Sequence, residues 1–177
     1  SNAHGTGRPS YIHRSVKPYD IAAFRRIWTG NFSYGQPWHL PDHGFVFLHT
    51  RYKGGRVLHV MQSADGAEWT EPTVLAKIAK GHYQVSWPHG NVIGTAFNYH
   101  PNPHGLNWRT NIYYMQTTDG GKTWKNAKGE PLELPLTTPD NAALALEYES
   151  RKRLCYLKDI QFTPDGRPVV LFLTSNG

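Results

Sequence analysis

The sequence predicts an all-β fold built from repeated antiparallel sheets, and three observations support this prediction. The first is composition: 13% of the 177 residues are aromatic, and there are 17 glycines and 13 prolines. The second is the alternation of short apolar runs with turn residues, which is typical of strands joined by hairpins. The third is an internal repeat, which indicates the order of the strands. Charged residues make up only 18% of the chain, and this argues against a helical bundle or coiled coil.

The repeat places the same series of elements twice in the chain. Segments 63–69 and 117–124 each follow a strand-like run, contain an Asp-Gly turn and end in tryptophan before the next strand. The two aspartates, Asp65 and Asp119, are separated by the length of one such series. We expect each carboxylate to accept backbone N–H bonds within its turn, while the glycine adopts the required backbone angles. Each series therefore predicts a hairpin.

A second repeat marks the innermost strand of each unit. Segments 34–38, 83–87 and 158–162 each place a large aromatic residue four positions after a polar start. An apolar strand follows each segment after a short turn. The predicted strand order in a unit is therefore inner strand, second strand, third strand, Asp-Gly turn and fourth strand.

The Asp-Gly segments resemble the Asp-box, or bacterial neuraminidase repeat, whose pattern is Ser/Thr-x-Asp-x-Gly-x-Thr-Trp. Segment 117–124 matches every defined position, whereas 63–69 is one residue shorter and has Ala67 where the glycine would align. On these segments the chain resembles the sialidase-like β-propellers, a BNR repeat-containing family that includes polysaccharide lyases. The resemblance implies antiparallel four-stranded blades arranged around an axis.

The two repeats together predict an incomplete propeller of about two and a half blades. The predicted divisions are residues 1–3 as a remnant of tag cleavage, 4–30 as a lead-in segment, and a partial propeller over 31–177 with blades at about 31–75, 81–134 and 154–177. A closed propeller needs about four or more blades. We therefore expect the exposed sheet edges to contact missing blades or another copy of the chain. A small independent sandwich with coincidental repeats is the alternative.

One short helix is predicted between the second and third blades. Capping residues precede segment 141–147, beginning at Thr138, and the basic run 151–153 follows it. Capping residues at the start and positive charge at the end favour a helix.

Strand direction separates the two ends of each sheet. The starts of the inner strands and the ends of the second strands lie at one end, and the Asp-Gly turns lie at the other. We therefore expect the Asp-Gly turns to be structural. The residues at the first end are rich in His, Tyr, Arg and Asn, which suits the binding of sugar rings, hydroxyls and carboxylates.

The resemblance implies a carbohydrate-active protein, most concretely a polysaccharide lyase acting on a uronic-acid-containing glycan by β-elimination. Such an enzyme neutralises the uronate carboxylate, removes the C5 proton and protonates the departing O4. We predict Arg51 for the carboxylate, His82 or Tyr83 as the base and His100 as the acid. The predicted substrate-binding residues are Tyr34, His49, Asn98, Trp108 and Lys158. The net charge of +6 suits an anionic glycan.

Two other function classes stay open. A sialidase-like glycoside hydrolase needs a carboxylate pair or a Tyr/Glu pair, and Asp159 is the one acid predicted at this end. In addition, Trp28 stands where the Arg-Ile-Pro motif of sialidases has proline. A noncatalytic glycan-binding propeller is the third class.

The sequence also argues against several partners. Apart from Arg151-Lys152-Arg153, Lys and Arg are scattered, so no nucleic-acid partner is predicted. No apolar run approaches the roughly 20 residues of a membrane span. With one cysteine, Cys155, and no metal-ligand spacing, neither a metal nor another cofactor is predicted. The family resemblance alone implies a secreted or periplasmic location.

Overall fold

The computed structural model describes residues 4–5, 7–105 and 107–176, which form twelve β-strands in four antiparallel sheets. The all-β prediction is confirmed, and the described residues contain no helix. The predicted tag remnant, 1–3, lies outside the described residues.

The predicted lead-in segment contains a hairpin. Strand β1 (Ser10–Ser15) pairs with strand β2 (Phe24–Gly30), and the register shifts between Ile12 and His13. Ile12 and Trp28 pack against an apolar cluster on the first sheet that follows. The hairpin therefore covers one face of that sheet.

The first four-stranded sheet has its strands in chain order. It comprises β3 (Ser33–Leu40), β4 (Gly44–Tyr52), β5 (Arg56–Ser63) and β6 (Thr73–Ala76). Successive side chains of a strand point to opposite faces. Leu48 accordingly joins the main core, while Phe47 joins the cluster beneath the N-terminal hairpin. Both faces of this sheet are therefore apolar and buried.

The second sheet repeats this pattern, with its fourth strand further along the chain than predicted. It comprises β7 (Gln84–His89), β8 (Val92–Tyr99), β9 (Thr110–Thr117) and β10 (Leu144–Leu146). Strand β10 pairs with β9 and lies beyond the predicted blade limit at 134. The main core lies between the first two sheets and includes Phe97, Tyr113 and Trp124, all buried.

The predicted short helix is wrong. Asn141 Oδ1 accepts the backbone N–H of Ala143 at 2.9 Å, and Asn141 Nδ2 donates to the carbonyl of Thr138 at 2.7 Å. Asn side chains compete in this way with helical backbone bonds. Because Leu144–Leu146 also pairs with β9, the segment adopts turns and a short strand instead.

The third sheet has two strands, β11 (Leu154–Phe162) and β12 (Pro168–Ser175). Val169, Leu171 and Leu173 alternate along β12, and each is more than half exposed. The contact of such edges with further blades or another copy of the chain stays a prediction.

The inner strands of the first two sheets lie side by side. Gln36 Nε2 donates to the carbonyl of Gln84 at 3.2 Å, and Trp38 Nε1 donates to Ser86 Oγ at 2.8 Å. The Trp38 and Trp87 rings also make an edge contact at 5.2 Å. Strand β11 packs against the other side of β7. The three sheets thus follow one another like blades.

The second Asp-Gly turn is organised by its carboxylate. Asp119 Oδ1 accepts the backbone N–H groups of Lys122 and Thr123, both at 3.0 Å. Burial opposes ionisation, but the hydrogen bonds from Thr123 and its neighbours prevail and lower the pKa of Asp119 to about 2. Trp124 is buried, with Nε1 donating to the carbonyl of Gly121 at 3.2 Å. The turn therefore anchors a core tryptophan.

Replacing Asp119 with alanine is expected to lower the free energy of unfolding by about 1–3 kcal/mol at pH 7, because it removes charge-assisted hydrogen bonds. The native pKa lies below the unfolded one, so this stabilisation is present above about pH 4 and is lost as the pH falls towards 2. Denaturant unfolding at several pH values measures both effects. Asp140→Ala, at an exposed acid, is the control. An Asp119→Ala difference that persists at pH 2 would contradict the account.

Candidate functional site

Most of the candidate functional residues lie at one end of the sheets, which we call the rim. Ser33 at the start of β3 pairs with Thr50 near the end of β4, and Leu154 at the start of β11 pairs with Ser175 at the end of β12. Tyr99 ends β8 at the same side. The Asp-Gly turns follow the opposite ends of β5 and β9 and lie away from the rim.

Tyr83 lies at the centre of a cluster of aromatic and cationic side chains on the rim. The guanidinium carbon of Arg109 is 4.2 Å from the centroid of the Tyr83 ring, and that of Arg56 is 4.7 Å away. The Tyr34 and His100 rings lie at 5.5 and 5.4 Å. We call this set the Tyr83 cluster. Its members are Tyr34, Tyr52, Arg56, Tyr83, His100, Arg109 and Tyr156.

A close backbone contact brings Arg56 to Tyr83. The Arg56 N–H donates to the carbonyl of Lys80 at 3.2 Å, and the Arg56 carbonyl accepts the N–H of His82 at 3.0 Å. Gly81 has φ +101°, and a Cβ at this position would lie 2.3 Å from the backbone of Arg56. Only glycine permits this approach. The contact therefore sets the first residue of β5 beside the start of β7.

The backbone of Tyr34 adopts a conformation that few L-residues share. Its φ is +52°, and the β3–β4 register shifts between Ser33 and Gln36. Burial, together with side-chain hydrogen bonds to Tyr83 and Tyr52, raises the pKa of Tyr34 well above its usual value. The Tyr34 hydroxyl therefore stays protonated. Backbone strain of this kind is frequent at functional sites.

His100 is buried beside the cations of the cluster. Burial, followed by the positive charges of Arg56 and Arg109, lowers its pKa to about 3, so the imidazole is neutral at pH 7. None of the residues that the structure describes hydrogen-bonds either ring nitrogen. His100 thus presents an unsatisfied neutral imidazole 5.4 Å from Tyr83, centroid to centroid.

The loop over 101–109 forms one wall of the site. Lys80 Nζ donates to the carbonyls of Pro103 and His104 at 2.8 and 2.6 Å. The His104 and Trp108 rings stack at 4.2 Å. Loop residue Leu106 lies outside the described residues. Lys80 therefore holds the loop, and with it Trp108, at the rim.

Tyr156 closes the cluster on the side of the third sheet. Its hydroxyl donates to the carbonyl of Asn107 at 2.6 Å, and the guanidinium of Arg109 lies 5.0 Å from its ring. Lys158, which the sequence predicts at a strand start, instead lies in the middle of β11 at a register shift and is exposed. Because β11 begins earlier than predicted, Tyr156 rather than Lys158 reaches Arg109.

His82 and Asn98 are fully buried and support the site from below. His82 Nε2 accepts the N–H of Ile78 at 3.0 Å, and Nδ1 donates to the carbonyl of Asn98 at 2.9 Å. Burial lowers the pKa of His82 to about 4. Asn98 Oδ1 accepts the N–H of Tyr83, and Nδ2 donates to the carbonyl of Cys155. Both side chains are therefore committed to the backbone around Tyr83.

Arg51 and His49 lie on the other face of the first sheet from the Tyr83 cluster. Their side chains alternate with that of Tyr52, which reaches the cluster. His49 stacks on Phe47 at 4.9 Å and on His59 at 5.7 Å. Burial and the neighbouring His59 lower its pKa to about 3. The arginines beside Tyr83 are thus Arg56 and Arg109 in place of the predicted Arg51.

Four members of the Tyr83 cluster are not among the catalytic or substrate-binding residues predicted from the sequence: Tyr52, Arg56, Arg109 and Tyr156. A signal was present for Arg56, which follows the Gly54-Gly55 turn between β4 and β5 at the rim. For Arg109, the signal was its position at the end of the loop over 101–109, which follows a strand that ends at the rim. Among the described residues, no three His, Cys, Asp or Glu side chains come together as metal ligands.

The comparisons of sequence and of structure with known proteins agree with each other. The model of the BNR repeat-containing family matches residues 2–177. An ulvan lyase of Nonlabens ulvanivorans is 29% identical over 182 residues, covering 90% of this chain and 38% of that protein. Two solved structures of an ulvan lyase, described as a new family of polysaccharide lyase, superpose with a TM-score of 0.74 at 19% identity. One of them is bound to -[GlcA(1-4)Rha3S]-.

The structural likeness covers 90% of this chain and 41% of the solved chains, and it shows a shared fold. The chain therefore spans about two fifths of the length of these relatives.

Replacing Gly81 with alanine is expected to lower the free energy of unfolding by about 1–3 kcal/mol beyond the effect of a positive φ alone, because backbone strain and the clash with Arg56 combine. Gly129→Ala is the matched control, since Gly129 has φ +83° and nothing within 4 Å of a Cβ. Denaturant unfolding of both variants measures the difference. Equal losses would show that the Arg56 contact is not critical.

Proposed function

The chain belongs to the BNR repeat-containing family, and from that premise we propose that it is a polysaccharide lyase cleaving a uronic-acid-containing glycan by β-elimination. The observation that carries the proposal is the pair of guanidinium groups beside Tyr83 at the rim. The ulvan lyase relatives support the same chemistry. The glycan is expected outside the cytoplasm, so we also propose a secreted or periplasmic location. No helix of the described residues is long and apolar enough to span a membrane.

Arg109 binds the uronate carboxylate, and the buried guanidinium of Arg56 adds a second positive charge beneath Tyr83. Arg109 is half-buried and reaches the rim, whereas Arg56 is buried beneath Tyr83 with its Nε unpartnered by hydrogen bonds among the described residues. Arginine binds carboxylates with two parallel hydrogen bonds. Positive charge held at the carboxylate stabilises the carbanion-like transition state that forms when the C5 proton leaves.

Tyr83 is the residue that we propose for proton transfer. It is half-buried, whereas His82 and His100 are fully buried, so Tyr83 can touch substrate directly. The deprotonated Tyr83 oxygen, acting as the catalytic base, takes the C5 proton, the C5–H electron pair forms the C4=C5 double bond, and the C4–O4 bond breaks with its electron pair on O4. The departing O4 then takes a proton, which the Tyr83 hydroxyl can supply.

The buried histidines act through Tyr83 in this proposal. His82 and Asn98 hold its backbone, and neutral His100 packs with its ring centroid 5.4 Å from that of Tyr83 without adding charge beside it. Tyr34, Trp108 and Tyr156 form aromatic walls on which sugar rings can stack.

Replacing Tyr83 with phenylalanine is expected to lower kcat at least 100-fold on a glucuronate-containing polymer such as ulvan, because proton transfer is lost. Absorbance of the unsaturated uronate product measures turnover. Tyr148→Phe is the matched control, since Tyr148 also lies near an arginine but is not a member of the cluster.

Three outcomes would contradict the proposal. Unchanged turnover in Tyr83→Phe would remove Tyr83 from the chemistry. New reducing ends without the unsaturated product would identify a glycoside hydrolase. Polymer binding with neither product, across a panel of uronate polymers, would identify a noncatalytic glycan-binding protein.

A further inference from the structure

A second cleft lies next to the Tyr83 cluster, on the other face of the first sheet. Its volume is about 500 Å³. We call it the Arg51 cleft. The polar residues that line it are Asn31, Arg51, Tyr52, Lys53, His59 and Lys77.

The Arg51 cleft carries positive charge that the protein leaves unneutralised. Arg51, Lys53 and Lys77 line it, and none of the lining residues is Asp or Glu. Neither of the two salt bridges found among the described residues involves these three side chains. Burial is the main cause that lowers the pKa of His59, and the charges of Arg51 and Lys53 lower it further. Such a cleft attracts an anion.

A buried acceptor in the cleft also lacks a partner. Asn31 Oδ1 is buried, and no described residue hydrogen-bonds to it. A buried polar atom left unpaired costs about 1–3 kcal/mol. Because the atom has no exposed surface, a sugar hydroxyl can reach it only when the Asn31 side chain turns towards the cleft that it lines. The cleft therefore combines positive charges for an anionic group with a lining side chain whose buried acceptor is unsatisfied.

Tyr52 joins the two sites. It lines the Arg51 cleft, and its ring lies 6.0 Å from the guanidinium carbon of Arg56 in the Tyr83 cluster. Its hydroxyl is also 3.2 Å from His4 Nε2, which contacts Tyr34. Tyr52 is thus the side chain shared by the Tyr83 cluster and the Arg51 cleft.

We propose that the Arg51 cleft binds a second anionic group, a carboxylate or a sulfate ester, of the polysaccharide chain held at the Tyr83 cluster. The inference rests on the proposed function for its substrate class. It gives Arg51 a binding role away from the bond that is cleaved. The cleft then favours polymers whose charges recur along the chain over short fragments.

The first experiment replaces the charges and separates binding from turnover. The double variant Arg51→Gln/Lys77→Gln is expected to raise KM on a long uronate polymer about tenfold, with kcat within twofold, because two charge-assisted contacts are lost. Arg25→Gln/Lys128→Gln is the control, since it removes the same charge from exposed sites elsewhere. An equal rise in KM in both variants would overturn the proposal.

The second experiment needs no turnover. The ring C–H signals of His59 are followed by NMR while sodium sulfate or sodium acetate is added, with sodium chloride at matched ionic strength as the reference. We expect a saturable shift with sulfate or acetate that is absent from the Arg51→Gln/Lys77→Gln variant. A response no larger than that to chloride would overturn the proposal.

The two experiments separate this proposal from the proposed function. Variant-dependent anion binding and polymer affinity without any cleavage would retain the cleft and overturn the lyase assignment. Cleavage that the double variant leaves unchanged would retain the lyase assignment and overturn the anion-binding role of the Arg51 cleft. Sulfated and non-sulfated uronate polymers compared on the wild type show which anionic group the cleft selects.

Discussion

The approach of Gly81 to the backbone of Arg56 is the contact on which the site depends. It joins the first residue of β5 to the segment before β7 by backbone hydrogen bonds in both directions, at Lys80 and His82. The first and second sheets are thereby fixed to each other at the rim. A side chain at Gly81 would have to displace Arg56, and with it the guanidinium that lies over Tyr83.

Buried polar side chains carry this alignment to the third sheet. Asn98 holds the backbone of Tyr83 with one end of its amide and the backbone of Cys155 with the other. Buried hydrogen bonds of this kind are costly to break, because the partner left behind stays desolvated. The rim is therefore held at its base by buried hydrogen bonds, while Arg109, Tyr156 and Trp108 are partly exposed.

Burial is the main reason that three histidines near the rim are uncharged, and cations contribute for two of them. His49, His82 and His100 are all neutral at pH 7 because burial outweighs every favourable contact, and nearby cations add to this for His49 and His100. Positive charge at the rim therefore resides on arginine and lysine, whose charge persists across physiological pH. The anionic polymer that we propose as substrate would meet positive charge that does not change with pH, first at Tyr83 and then at the Arg51 cleft.

The sequence by itself determined most of the strands, the Asp-Gly turns and the end of the sheets at which the candidate site residues lie, because these follow from local periodicity and turn chemistry. Tyr34, Tyr83, His100 and Trp108 were predicted at that end and lie there. Only the tertiary structure decided which face each side chain takes. Arg51 and Tyr52 are neighbours in β4, but of the two only Tyr52 also reaches the Tyr83 cluster, and Arg56 reaches Tyr83 through a contact between sheets, which no local pattern encodes. The short segment after Thr138 was likewise settled by pairing with β9 rather than by its own helical signals.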